Sequence, residues 1–143
     1  MTFRTIILTA IGKLVVCGNE HGVISLGWTD EELSEDIEQE SKEWIEKIRS
    51  LDFDVPFVLT GTDFQIKVWK EIHKVRPGKT ISYGELANRI GNPGAVRAVA
   101  TACGKNKIAL IIPCHRIVRG DGSIGKYAWG VDRKKMLLEL ESE

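Results

Sequence analysis

The sequence predicts an α+β fold that begins with a small antiparallel sheet and continues into a mainly helical part. Three short segments, 3–9, 13–18 and 22–28, are rich in Ile, Val, Leu and Thr and are separated by glycine-containing turns. Beyond residue 60, capping residues and apolar side chains recur at helical spacing instead. A run of strands followed by a run of helices is typical of α+β architecture.

The first part of the chain is predicted to be a three-stranded meander covered by one helix. Thr29 and Glu32 form a capping-box pattern that predicts where this helix starts. Apolar residues then recur at helical spacing through an acidic segment: Leu33, Ile37, Trp44, Ile45 and Ile48. Segment 51–60 contains a proline and breaks the pattern. We therefore expect an N-terminal α/β domain with its connection over residues 1–57, and a second domain over 58–143.

The second domain contains a pattern typical of a helix-turn-helix. Ser82 and Glu85 form a capping box for a short helix, and Asn92 precedes a proline at the start of a second helix over 93–103. This second helix is rich in small residues, and Arg97 is its only long side chain. Small residues would allow the helix backbone to approach DNA closely. An ordinary pair of packed helices fits the same pattern.

The charge distribution favours a polyanionic partner even though the formal net charge is zero. Residues 1–51 hold 5 basic and 10 acidic side chains, whereas residues 52–143 hold 15 basic and 10 acidic ones. Segment 65–119 has 11 Lys or Arg against only 2 Glu. Such a segment can form a surface that faces phosphates. A solvated charged surface is the alternative interpretation.

Composition also indicates the cellular compartment of the protein. No apolar run approaches the roughly 18 residues of a membrane-spanning helix, and the N-terminus lacks the pattern of a secretory signal. Three cysteines, at positions 17, 103 and 114, lack the close pairing of a zinc ribbon or a redox motif. We expect a cytoplasmic monomer with no membrane association, no bound metal and no cofactor.

Cys114 is the strongest candidate for chemistry. It follows Pro113 and a continuous apolar run, 108–112, that predicts a buried strand. Because proline suits the first position of a helix, we expect Cys114 and His115 in the first turn of a short helix. The helix dipole, the imidazole and the guanidinium of Arg116 would all favour a thiolate. The alternatives are a buried core thiol and an ordinary surface or core histidine.

The residues around Cys114 resemble a known signature. Ile112-Pro-Cys-His-Arg-Ile-Val118 is similar to the active-site sequence of the methylated-DNA–protein-cysteine methyltransferases, also called O6-alkylguanine-DNA alkyltransferases. Further motifs in that family's order and spacing are Gly61-Thr-Asp-Phe-Gln65, Gly78-Lys-Thr-Ile-Ser-Tyr-Gly-Glu-Leu-Ala87, Gly91-Asn-Pro-Gly-Ala-Val-Arg-Ala-Val99 and Lys135-Met-Leu-Leu-Glu-Leu-Glu141. The resemblance covers residues 58–141. It implies a ribonuclease-H-like N-terminal domain and a winged helix-turn-helix-like C-terminal domain that carries the active site.

The resemblance also implies an activity, which is DNA repair by direct alkyl transfer. A member of this family binds duplex DNA, rotates an O6-alkylated guanine out of the stack and transfers the alkyl group, chiefly methyl, to the cysteine that matches Cys114. O4-alkylthymine is a further candidate substrate. The transfer needs no metal or cofactor, and each molecule acts once because a thioether is a poor leaving group. We expect the DNA-bound protein to associate with the nucleoid.

Position within the motifs assigns roles to individual residues. The implied catalytic residues are Cys114, His115 linked to it through a water molecule, Glu141 orienting His115, and Asn106 stabilising the turn before the active site. The implied DNA contacts are Tyr83, Ala95, Arg97 and Arg116, with Arg97 filling the space that the rotated base leaves. The implied base pocket comprises Tyr83, Ile117, Tyr127, Ala128 and Trp129, with the Cys114 and Ile117 carbonyls accepting from the guanine amine.

Two residues depart from the family's common pattern, since Lys126 and Trp129 stand where many relatives carry small residues. We hypothesise that Trp129 narrows the pocket, so that methyl groups transfer faster than benzyl or longer alkyl groups. No N-terminal zinc cluster is expected, because Cys17 and His21 lack matching partners.

Two other functions fit part of the sequence. A cysteine hydrolase also combines Cys, His and Asn, but it would turn over and release product. A DNA-binding sensor would recognise alkylated bases without repairing them. Retention of Cys114 argues against the sensor, because relatives of that class replace this cysteine.

Overall fold

The computed structural model describes residues 2–34 and 41–142. The chain divides into two compact units, 1–60 with 107–111, and 61–106 with 112–143. Both contain helices and strands, which agrees with the predicted α+β class. The domain boundary after residue 57 stays a prediction about independent folding.

The first unit is built on the predicted meander, which is confirmed. Strands β1 (Thr2–Thr9), β2 (Gly12–Asn19) and β3 (Gly22–Trp28) form one antiparallel sheet in the order β1-β2-β3. Ile7, Leu14, Val16 and Leu26 lie on one face of this sheet, and Ile6 lies on the opposite face. The side chains that form the core are 3% exposed or less: Ile6, Ile7, Leu14, Val16, Val23 and Leu26.

A single described helix covers this sheet. Helix α1 (Lys42–Arg49) contacts β1, and its Ile45 and Ile48 are completely buried. The Trp44 ring lies 6.4 Å from the ring of Phe3, which extends the contact to the start of β1. The covering helix predicted from apolar spacing is therefore confirmed over its second half.

The predicted start of this helix at Thr29 is wrong. Thr29 Oγ1 accepts a hydrogen bond from the Glu31 amide at 3.2 Å, which forms a turn instead of a helical cap. Ser34 then pairs with Ile6 at the edge of the sheet, so the chain is still extended there. Competition from sheet pairing explains the difference. Ile37, which the prediction also used, lies outside the described residues.

The second unit contains four helices and two short strands within its described residues. They are α2 (Asp63–His73), β4 (Ile81–Ser82), α3 (Tyr83–Arg89), α4 (Val96–Gly104), β5 (Ile117–Val118) and α5 (Val131–Glu141). Helices α3 and α4 contact each other and both contact α2. The indole of Trp69 donates to the Ala102 carbonyl at 2.9 Å and ties α2 to α4.

The predicted helix pair is present, with one boundary shifted. Ser82 Oγ accepts from the Glu85 amide at 3.0 Å, so the predicted cap of α3 is confirmed. Helix α4 begins at Val96 rather than at residue 93, because the Ala95 amide donates to the Asn92 carbonyl at 3.0 Å and closes a separate turn first. Asn92 therefore starts a turn and not the helix.

Residues 108–112 do not form the predicted strand, although they are buried as predicted. Ile108 forms one isolated bridge to Leu26, and the chain then turns through Leu110, whose φ is 73°. All five residues of this run are buried. Periodicity does not distinguish a buried strand from a buried turn, because both give a continuous apolar run.

The small parallel sheet of β4 and β5 positions the residues that follow its two strands. Ile81 pairs with Ile117 and Ser82 with Val118, so the residues that follow the strands, Tyr83 and Arg119, leave at the same end. Among the described residues, no helix is both long and apolar enough to cross a membrane.

Candidate active site

Cys114 lies on the wall of a cavity. It occupies a single 3₁₀ turn, Cys114–Arg116, which follows Pro113 and leads into β5. The turn is helical, as predicted, but only 3 residues long. The cavity has a volume of about 240 Å³, and its lining also includes Tyr83, Ala100, Cys103, Gly104, Lys126, Tyr127 and Ala128. The sulfur is therefore next to a space that a small planar group can enter.

The surroundings of the sulfur favour a neutral thiol over the predicted thiolate. Cys114 is only 5% exposed, and burial raises its pKa above the ordinary value. The amide of Asn106 donates to Sγ at 3.2 Å and the Lys134 charge acts in the same direction, but both lower the pKa less than burial raises it. A three-residue turn also adds little dipole. Cys114 must therefore lose its proton during the reaction.

Asn106 holds the loop that carries the cysteine. Its Nδ2 donates to the Ile112 carbonyl at 2.9 Å as well as to the Cys114 sulfur. One buried amide thus links the Ile112 carbonyl, two residues before Cys114, to the Cys114 sulfur. This contact fits the predicted role of Asn106 as the residue that stabilises this turn.

His115 is held as a neutral base. Its Nε2 lies 3.0 Å from Glu141 Oε2 in the last turn of α5, and its ring is 1% exposed. Burial lowers the pKa of His115 more than Glu141 raises it, so the imidazole is uncharged. Because an ionised carboxylate only accepts, Nε2 carries the ring hydrogen and Nδ1 presents a lone pair. Within the described part of the chain, no hydrogen bond reaches Nδ1.

Arg116 is buried inside this cluster, which corrects its expected role as a DNA contact. Its Nε donates to Glu141 Oε1 at 2.9 Å, Nη2 to Oε2 at 2.6 Å and Nη1 to the Val75 carbonyl at 2.7 Å. Burial raises the pKa of Glu141, but Arg116 and then His115 outweigh burial and hold it at about 2. Arg116 therefore keeps Glu141 ionised for its contact with His115.

Lys134 is a site residue that the sequence reasoning missed. It is completely buried, and its Nζ donates to the carbonyls of Ile117 at 2.6 Å and Lys126 at 3.0 Å. Burial lowers the pKa of Lys134 to about 8. The Ile117 carbonyl, expected to accept from guanine, already accepts from this ammonium. A signal was present, since Lys134 lies three residues before the buried Leu137 on one face of α5.

The expected base pocket is found in part. Tyr83, Tyr127 and Ala128 line the cavity, whereas Ile117 is completely buried and does not. Trp129 is also absent from the lining; its ring lies 5.3 Å from the Tyr127 ring. Any effect of Trp129 on the size of the alkyl group would therefore act through Tyr127.

The end of α4 supplies the part of the cavity that was not predicted. Ala100, Cys103 and Gly104 line it, and the small-residue composition of this helix was the signal that could have indicated them. Burial, with the nearby Cys114, raises the pKa of Cys103 to about 12, so Cys103 is a neutral thiol. Burial likewise raises the pKa of Tyr83 to about 12, which leaves its phenol as a donor.

The start of α4 carries the predicted DNA contacts on an open face. Arg97 is exposed, Val96 is 40% exposed, and Ala95 just before the helix is half-buried. Among residues 2–34 and 41–142, no cluster of three or more His, Cys, Asp or Glu could hold a metal ion.

Comparison with known proteins places the second unit in a defined class. The family model of the 6-O-methylguanine DNA methyltransferase DNA-binding domain matches residues 63–143. The fold and the cysteine-lined cavity thus define a DNA-binding domain with a cysteine site. The chain belongs to the methylated-DNA–protein-cysteine methyltransferase family. The protein of that name from Methanosarcina barkeri is 40% identical, over 97% of this chain and 96% of the relative.

Other relatives match a shorter length of the chain at higher identity. The bifunctional transcriptional activator/DNA repair enzyme Ada of Escherichia coli is 55% identical over 89 residues, which are 62% of this chain and 25% of Ada. The Mycobacterium tuberculosis methylated-DNA–protein-cysteine methyltransferase is 52% identical over 63% of this chain and 54% of the relative. The matched region thus spans about half or less of these two relatives.

Solved structures extend the likeness over the whole chain. The crystal structure of Mycobacterium tuberculosis OGT in complex with DNA has a TM-score of 0.81 at 36% identity, and covers 97% of this chain and 92% of that one. The Mycobacterium tuberculosis O6-methylguanine methyltransferase has a TM-score of 0.77 at 35% identity, with coverage of 99% and 93%.

Proposed function

We propose that this protein repairs duplex DNA by a single, irreversible transfer of an alkyl group, chiefly methyl, from O6-alkylguanine to Cys114. The observation that carries the proposal is the Cys114 thiol on the wall of a cavity, next in the chain to a buried His115 that Glu141 holds as a neutral base. Family membership and the DNA complex of the Mycobacterium tuberculosis relative support DNA as the partner. O4-alkylthymine would enter the same cavity.

The open face of α4 would bind the damaged duplex. Small residues there let the backbone approach DNA, and Arg97 is free to fill the space that the rotated base leaves. The basic segment 65–119 would neutralise phosphates on either side. Tyr83, at the start of α3 and on the cavity wall, would contact the rotated base.

The chemistry follows from the protonation states. His115 Nδ1 takes the proton of the Cys114 thiol through a bridging water molecule as the sulfur attacks the alkyl carbon. The S–C bond forms while the C–O6 bond breaks, and the electron pair of that bond moves to O6. Guanine regains its N1 proton, so the proton lost by the thiol is balanced, and His115 returns to its neutral form. The protein keeps a thioether, which cannot leave again.

Intact-protein mass spectrometry after incubation with duplex DNA containing O6-methylguanine tests the proposal. We expect a gain of one methyl group on the peptide that contains Cys114, none in Cys114→Ala, and the full gain in Cys103→Ala, a matched variant of the other cavity cysteine. Unchanged mass with repeated release of product would indicate a hydrolase. Unchanged mass with tight binding would indicate a sensor, and either result would overturn the proposal.

A further inference from the structure

The residues that line the cavity beside Cys114 include one lysine and no carboxylate. Lys126 is exposed and lines the cavity, and the lining contains neither Asp nor Glu. Among the described residues, no carboxylate forms an ion pair with the Lys126 ammonium, as the ion pairs of the second unit involve other side chains. The remaining lining is mostly apolar, so the charge acts in a space with few competing polar groups.

The backbone of Lys126 is fixed in place. Its carbonyl accepts from the buried Lys134 ammonium at 3.0 Å, and Lys134 in turn lies 5.9 Å from the Tyr83 ring. The preceding Gly125 has a φ of 79°, and a methyl group there would meet Arg119 Cγ at 3.4 Å and the Tyr83 ring at 3.5 Å. Two further cations, Lys134 and Arg119, thus lie around the same tyrosine. A group bound beside Tyr83 would be in a positive field.

We propose that Lys126 determines substrate specificity by favouring O6-alkylguanines whose alkyl group carries a negative charge, such as carboxymethyl, over neutral groups of the same size. This inference rests on the proposed function, because it concerns the same cavity and the same acceptor sulfur. An apolar lining accommodates the methylene carbon that reacts, while the ammonium of Lys126 attracts the carboxylate at the far end of the alkyl group. A neutral amide of equal size receives no such attraction.

The reaction keeps the same balance as methyl transfer. The sulfur of Cys114 attacks the methylene carbon, the S–C bond forms and the C–O6 bond breaks with its electron pair moving to O6. Guanine N1 gains a proton in place of the one that the thiol loses, and the product is S-carboxymethylcysteine. The carboxylate takes no part in bond making, so Lys126 contributes attraction and not acid–base chemistry.

Single-turnover rates on matched duplexes test the inference. Three duplexes carry O6-carboxymethylguanine, its neutral carboxamide analogue or O6-methylguanine at the same position. The proteins are wild type, Lys126→Gln, Lys126→Arg and Lys135→Gln, the last changing an exposed lysine of α5 outside the cavity. We expect a carboxymethyl-to-carboxamide rate ratio of about threefold to fivefold in the wild type, the size of one exposed charge pair. Lys126→Gln should bring this ratio to about one, while Lys126→Arg and Lys135→Gln retain it.

The outcomes separate this inference from the proposed function. A carboxymethyl-to-carboxamide rate ratio that is the same in wild type and Lys126→Gln overturns the inference. This includes the case in which Lys126→Gln slows transfer from all three adducts equally because Lys126 contacts a phosphate. Transfer from the methyl adduct shows in that case that the proposed function stands. Absence of transfer from all three adducts overturns the proposed function, and the inference with it. Added salt should lower the wild-type ratio, since screening weakens an exposed pair.

Discussion

The open face of α4 and the buried cluster behind the cavity differ in how their polar side chains are held. Arg97 on α4 is exposed to solvent. The acid–base cluster, by contrast, consists of side chains bonded to each other, to Asn106 or to buried carbonyls: Cys114, His115, Arg116, Lys134 and Glu141. Exposed cations can exchange solvent for phosphate at little cost, whereas buried charges persist only when paired.

We infer that DNA binding depends on the exposed side chains of α4, whereas the reactivity of the sulfur depends on the buried cluster. Substitutions on α4 should weaken binding without altering the sulfur, and substitutions in the acid–base cluster should slow transfer without altering affinity.

Glu141→Gln should slow methyl transfer by about a thousandfold, because the amide no longer stabilises the imidazolium that forms as His115 takes the thiol proton. The measurement is the single-turnover rate on O6-methylguanine duplex. DNA affinity, determined by fluorescence anisotropy on the same duplex, should stay within error of wild type. A matching loss of affinity would show that the cluster also contributes to the DNA surface.

Arg116→Lys should lower the free energy of unfolding by about 2 kcal/mol at neutral pH, because a lysine cannot replace the bidentate pair with Glu141. Denaturant unfolding measures this cost. The pKa of Glu141 is held at about 2, below its ordinary value, so the pair stabilises the fold above pH 4.5 and its effect is lost as the pH falls through about 2. The difference between variant and wild type should therefore shrink in acid. An unchanged free energy of unfolding would contradict this role of Arg116.

Arg97→Ala should reduce both DNA affinity and transfer rate by about tenfold. The alanine cannot fill the space that the rotated base leaves, so it does not offset the cost of rotating the base out. Alkylation of Cys114 by iodoacetamide in the absence of DNA should be unchanged, as Arg97 is not part of the acid–base cluster. Altered iodoacetamide reactivity would contradict the separation of the two regions.

Lys134→Met should produce the smallest change, about a threefold slower alkylation of Cys114 by iodoacetamide near neutral pH. Burial lowers the pKa of Lys134 to about 8, so this side chain is charged below that pH and neutral above it. Its charge favours the Cys114 thiolate. The advantage of wild type over the variant should therefore disappear as the pH rises through about 8. Thermal unfolding of the variant controls for misfolding, and a constant ratio at all pH values would exclude the charge effect.

The sequence predicted those elements whose signals are local. The three strands of the meander, the cap of α3 at Ser82 and the presence of a helix pair all follow from turn residues, caps and spacing over a few residues. The start of α1 and the conformation of residues 108–112 depend instead on sheet pairing with Ile6 and Leu26, which are distant in the chain. Such pairing leaves no local pattern.

The candidate site shows the same limit. Motif resemblance indicated Cys114, His115 and Glu141, and the structure brings the last two within hydrogen-bonding distance. The predicted thiolate considered only the charges next to Cys114 in sequence, whereas burial in three dimensions raises the pKa of this thiol. The role of Arg116 was missed for the same reason, since its partner lies 25 residues further along.

The placement of the Cys114 sulfur on the cavity wall has a consequence for the spent molecule. The group that the sulfur accepts would stay in the space proposed for the damaged base, so a used molecule would have less room for a second base. The restored guanine and the newly attached group would then compete for one volume of about 240 Å³. Departure of the repaired strand would in this way be coupled to the reaction itself, and a used protein would differ from a fresh one in shape as well as in chemistry.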